Sequence, residues 1–172
     1  MKVASLIASL LMAQPAIAQQ RCMTAPEAEA MALVALPEII RQTGTVCATR
    51  LPATSLVLRA DGPFIAKYQA AADRAWPAAR AALGKLSDPM VQPLLESDYA
   101  RPLLTTIIVP LLVGRIATND CGIIDRLVTQ LAPLPAQNTA AIVVTALQYL
   151  KAEKAKGKAV EVPDLPLCAL AR

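Results

Sequence analysis

An all-α fold is what this 172-residue sequence predicts: a single-domain bundle of six or seven helices, kinked at several prolines, held by two disulfides and finished by an extended C-terminal tail. Three observations carry that expectation. Apolar residues recur at helical spacings of three and four along most of the chain. No stretch alternates for long enough to make a strand, and no Asn-Gly or Asp-Gly turn sits between two strand-like runs. Prolines and glycines fall where helices would start and stop.

The first element is not part of that fold. Residues 1–18 begin with the cation Lys2, continue through the apolar stretch Val3 to Met12 and close on Ala16-Ile17-Ala18, the pattern of a cleaved signal peptide. The apolar stretch is far short of the ~20 residues that cross a bilayer. Processing after Ala18 leaves residues 19–172 as one exported domain, in the periplasm or the medium.

Thr24-Ala25-Pro26-Glu27 is a capping box that opens a helix carrying Leu33, Leu36 and Ile40 and closing at Gly44. Pro37 inside it predicts a kink or a join between two helices. Residues 51–59 are a short helix or a connector. Asp61 is the expected cap of the next helix, with Pro63 in its first turn and an apolar stripe from Ile65 to Leu86. Pro77 should bend it, and Ser87-Asp88-Pro89 restarts a short helix. Ser97 or Asp98 begins an apolar helix reaching about Ala117, bent at Pro110. Asn119 or Asp120 caps the cleanest amphipathic segment, with Ile123, Ile124, Leu127, Val128 and Leu131 on one face. The last helix runs from about Ala136 to Lys156 and stops at Gly157.

Four cysteines in an exported chain argue for two disulfides. Cys121 with Cys168 is the easy pairing, because the tail has ample reach. Cys22 with Cys47 then follows by elimination. A straight helix over residues 25–43 would hold its ends about 27 Å apart, whereas a disulfide needs Cα atoms within about 7 Å. That bridge therefore requires folded-back flanks or a break at Pro37.

Composition excludes more than it declares. The chain is 55% apolar, 17% charged and 3% aromatic, and it lacks histidine. Without histidine there is no Ser-His or Cys-His nucleophile pair, and the wide cysteine spacing offers no metal or redox site. No Gly-rich phosphate loop or dinucleotide fingerprint occurs, so no cofactor is expected. The net charge of +4, less the one charge of Lys2, is too small and the aromatics too few for nucleic-acid binding.

What remains is weak chemistry. Glu96, Asp98, Asp120 and Asp125 could pair as glycosidase carboxylates, but cap positions and a solvent face already account for them. Ser55, Ser87 and Ser97 with Lys67 or Lys85 have neither S-x-x-K nor G-x-S-x-G spacing. The chain is therefore not expected to be an enzyme. Candidate partner contacts are Trp76 with Arg80 one turn later, and the basic run Lys151, Lys154, Lys156 and Lys158. Core filling by Trp76 and a helix C-terminus favoured by lysines are the structural alternatives.

The expected role is binding of a protein partner, in the manner of an inhibitor, immunity factor or assembly accessory. The alternative is a carrier of an apolar small molecule or lipid between its helices. A continuous apolar cavity of several hundred Å³ would favour the carrier, and an exposed apolar patch the protein binder.

Overall fold

The computed structural model of the protein describes residues 22–169; the expected signal peptide and its Ala18 cleavage site lie outside them. The described residues hold six α-helices: α1 (Ala25–Cys47), α2 (Pro63–Leu86), α3 (Gln92–Leu95), α4 (Ala100–Val113), α5 (Cys121–Leu131) and α6 (Ala136–Ala155). Three short 3₁₀ turns, Leu56–Leu58, Pro89–Val91 and Thr118–Asp120, join them, and no strand forms among the described residues.

Helix α1 packs against α2, α4 and α6. It begins as the capping box requires: the Glu27 carboxylate accepts the Thr24 N–H at 2.7 Å. The same carboxylate takes Lys85 Nζ of α2 at 2.6 Å, which locks the start of α1 to the end of its neighbour and holds Glu27 below the usual carboxylate range. Helix α2 lies close, because alanines face the contact: Ala71, Ala72, Ala79 and Ala82 are all buried. Near the other end of α1, a Cβ on Gly44 would collide with the Val57 carbonyl, so only glycine lets the Leu56–Leu58 turn approach.

Three sequence expectations need correction here. Pro37 does not break α1, which runs through it, as α2 runs through Pro77 and α4 through Pro110. A proline removes one hydrogen bond, but packing of α1 against α2, α4 and α6 carries the helix on through Pro37. Gly62, with φ of 107°, is the N-cap of α2, and Asp61 precedes it. Helix α4 is shorter than expected: Tyr99, rather than Ser97 or Asp98, precedes its first residue, and it ends at Val113 with Gly114 as C-cap.

The fourth correction is the disulfide pairing. Cys22 is bonded to Cys168 and Cys47 to Cys121, with Cα separations of 5.0 and 5.6 Å. The expected pairs, Cys22 with Cys47 and Cys121 with Cys168, do not form. The reason is the unbroken α1. Its 23 residues span roughly 34 Å, so the cysteines flanking it cannot meet. Each instead finds a segment returning to its own end of the helix. The chain after Gly157 (φ 85°) leaves helix and comes back to the start of α1. There Met23 and Leu167 form a parallel bridge, with Met23 N–H donating to Pro166 at 2.6 Å and Cys168 N–H to Met23 at 2.8 Å. Helix α1 is thus stapled at both ends.

Candidate functional site

A cavity of about 350 Å³ lies along the second half of α1, between it and α5 and α6. Its floor is Leu36, Ile39, Ile40 and Thr43 of α1, with Thr139 and Val143 of α6 beside them. Helix α5 supplies Ile124, Leu127, Val128 and Leu131 from the stripe expected in the sequence, although Leu127 is half-exposed and Ile123, its fifth member, is exposed to solvent. Phe64 and Tyr68 of α2, edge to face at 5.3 Å between ring centres, also line it. A separate, smaller cavity of about 80 Å³ lies nearer the start of α1, among Met31, Ala35, Ile108, Leu147 and Leu167. Leu36, Ile39 and Val143 line both. Neither lining contains a charged side chain.

Helix α5 roofs the larger cavity and is held mainly from its edges. At its first residue Cys121 is bonded to Cys47, both fully buried. In its middle Asp125 accepts a hydrogen bond from Ser55, across from the Leu56–Leu58 turn. Beyond its last turn the carbonyls of Ala132 and Leu134 accept Lys67 Nζ at 2.6 and 2.8 Å. Lys67 also sits over the Tyr68 ring at 4.8 Å and the Phe64 ring at 5.6 Å, and burial lowers its pKa from the usual lysine value. Carbonyl partners and ring faces compensate part of what the ammonium loses in leaving water.

The residues singled out in the sequence fall elsewhere. Trp76 is half-buried and packs against the cluster of Met31, Val34 and Ala79, while Arg80 is exposed. The basic run is largely occupied internally. Lys151 Nζ donates to the carbonyls of Leu165 and Leu167, at 2.7 and 3.2 Å, and so holds the returning C-terminal segment. Lys156 and Lys158 both pair with Glu153, whose pKa they lower and whose charge raises theirs. Lys154 alone of the run makes no hydrogen bond or ion pair among the described residues.

Several of the candidate catalytic side chains likewise have structural partners. Ser55 is joined to Asp125, Lys67 to two carbonyls, Lys85 to Glu27 and Ser97 to the Leu94 carbonyl at 2.7 Å. Glu96 accepts Gln92 Nε2 at 3.0 Å. Among the described residues no group of three His, Cys, Asp or Glu side chains converges to hold a metal.

Outside the cavity, α4 and α5 carry apolar side chains on their outer faces too. Leu103, Ile107 and Leu111 form an i, i+4, i+8 stripe on α4, and Ile107 is 57% exposed. Tyr99 and Met90 before the helix, and Ile123 on α5, are also exposed. A hollow of about 530 Å³ on the outer face of α6, between Ile142 and Tyr149, is open surface of one helix and encloses nothing. No single helix among the described residues is long and apolar enough to cross a membrane; α4 and the stretch Thr118–Leu131 are so only together, bent by 84°.

These features define an all-helical, doubly disulfide-bonded chain around an apolar cavity. No protein-family model matches the chain, and no curated protein or solved structure shows significant similarity to it.

Proposed function

We propose that the protein is an exported binder of apolar small molecules, which it holds between α1, α5 and α6. The observation that carries this reading is the 350 Å³ cavity with its uncharged lining. Protein interiors are close-packed, and an engineered apolar cavity of only ~150 Å³ already stays dry and takes up benzene. At about 24 cal/mol per Å³, a sealed empty void of 350 Å³ would cost on the order of 8 kcal/mol, as much as many domains have in total stability. This cavity is partly open, so that figure is an upper bound, and an apolar occupant removes most of it. Export rests on the leader pattern of residues 1–18 and on two disulfides, which form and persist in oxidising compartments.

The test is saturable binding of the uncharged fluorophore N-phenyl-1-naphthylamine to exported protein. A stoichiometry near one, with binding weakened by Val143→Phe and Val128→Phe, supports the reading. Folded protein that gives no saturable signal overturns it.

A second reading has its own observation. The stripe Leu103, Ile107 and Leu111 suits a protein partner of the inhibitor, immunity or accessory kind. Leu111→Asp with Ile107→Asp should then abolish capture of that partner without changing uptake of the fluorophore.

A further inference from the structure

The polar atoms of the cavity specify what kind of apolar molecule it holds. We infer that the ligand is elongated and uncharged with one hydrogen-bonding group, an alcohol, ketone or ester, and that Thr43, Tyr68 and Thr139 bind that group. This rests on the apolar-ligand reading above and deepens it.

Consider charge first. Neither cavity lining includes a carboxylate, a lysine or an arginine. The nearest cation to the aromatic wall is Lys67, whose ammonium is committed to the carbonyls of Ala132 and Leu134. A carboxylate in the cavity would have no counter-ion, and burying an unpaired charge is far more costly than burying a neutral polar group. An ammonium would meet the same obstacle.

The hydroxyls are placed differently. Tyr68, Thr139 and Thr43 are 2%, 4% and 5% exposed, and all three line the larger cavity. Tyr68 Oη and Thr139 Oγ1 lie 3.3 Å apart, beyond the usual 2.7–2.8 Å of a hydroxyl pair. Two hydroxyls in one contact use a single hydrogen, which leaves the other to donate elsewhere. The Thr43 hydroxyl has no partner among the described residues. The cluster therefore offers an unused donor and an unpaired hydroxyl on residues that line the larger cavity, able to bind a polar group placed there.

Shape sets the orientation. The two linings run along α1 from Ala28 to Thr43, roughly 22 Å at 1.5 Å per residue. The hydroxyls belong to the Thr43 end, whereas the narrower cavity toward Ala28 is lined by methionines, leucines and alanines. A chain with its polar end at Thr43 and its tail toward Met31 and Leu167 matches both. Water could satisfy the hydroxyls alone, but it would leave the apolar remainder empty.

The experiment is competition against bound N-phenyl-1-naphthylamine at pH 8 with 1-decanol, decane, decanoate and decylammonium. Decanol should displace the probe at concentrations at least ~10-fold below those of either charged chain. With the probe's own affinity for each variant measured first, Tyr68→Phe, and separately Thr43→Val and Thr139→Val, should weaken decanol roughly 3- to 10-fold while leaving decane unchanged. The threonine variants keep the test decisive if Tyr68→Phe loosens the fold. Equal competition by decanol and decanoate, or equal loss for decanol and decane in all three variants, overturns the inference while the apolar-ligand reading stands. Absence of probe binding overturns both.

Discussion

Helices α1 and α2 and helices α4 and α5 all carry apolar stripes, yet they solve opposite packing problems. The α1–α2 contact is built on alanines, with Ala72 and Ala79 fully buried, and a carboxylate–ammonium pair ties the start of one to the end of the other. On α4 and α5 the large residues face both ways. Val109 and Val113 reach the core, while Ile107, Leu111 and Ile123 stay in solvent and Ile124, Val128 and Leu131 overhang a void. Helix α5 is held by a disulfide, a serine–aspartate hydrogen bond and a lysine rather than by intimate packing. Small residues close a structure, and large ones at a distance leave it room for a guest.

The largest expected effect comes from removing the staple that joins the two regions. Cys47→Ser with Cys121→Ser frees 74 residues of sequence separation, which on the chain-entropy account is about 4.5 kcal/mol of stability. Thermal melting should fall steeply, and the protein that remains folded should lose probe binding, because the roof of the cavity is released. Cys22→Ser with Cys168→Ser should cost a similar amount yet leave probe binding near normal below the melt. Equal loss of binding in both variants would erase the distinction between the regions.

Enlarging side chains sharpens the comparison. Ala72→Leu, in the closed contact, should destabilise by about 1–3 kcal/mol, since no space receives it. Val143→Phe, beside the cavity, should be neutral or stabilising in the absence of ligand because it fills a void. Chemical denaturation of both variants reads the sign directly.

Acid should act on the closed region through ion pairs. The Lys85 ammonium holds Glu27 low, and Arg101 holds Asp73 low at 2.6 Å. Depressed carboxyls contribute stability that is present above their unfolded values and lost as pH falls through their folded values. The melting temperature should therefore be flat near neutrality and drop below about pH 4. Each pair is partly exposed and contributes no more than about 1 kcal/mol. Lys85→Met should remove part of the acid slope. The smallest effect belongs to Ile107→Ser, which should stay within ~0.5 kcal/mol of the parent because that side chain already faces water.

The helices were legible because their signals are local: the Thr24–Glu27 box, Pro63 in a first turn, the one-three spacing of Ile123 to Leu131, and Gly157 as a stop. The disulfide partners were not, since Pro37 is a local signal for a break that packing on two flanks overrides. The cavity was half legible. Spacing puts Ile123, Ile124, Leu127, Val128 and Leu131 on one face, but the fold leaves Ile123 and Leu127 largely exposed. How far the remainder stands from Leu36 and Ile39 depends on tethers distant in sequence, such as Ser55 to Asp125. In sequence Lys67 reads only as a conceivable base, because nothing local marks a lysine whose partners are carbonyls about 65 residues away. The basic run reads as surface charge in sequence; in the fold its Lys151 is a strut under the C-terminal segment.

The most direct test of ligand occupancy is methyl NMR of Ile-, Leu- and Val-labelled protein titrated with 1-decanol. Saturable shifts are expected at Ile39, Ile124, Val128 and Val143, which line the cavity, with Ile107 and Leu111 on the outer face of α4 unmoved. Shifts at Ile107 and Leu111 with the cavity methyls silent would contradict it and place apolar binding on the surface instead.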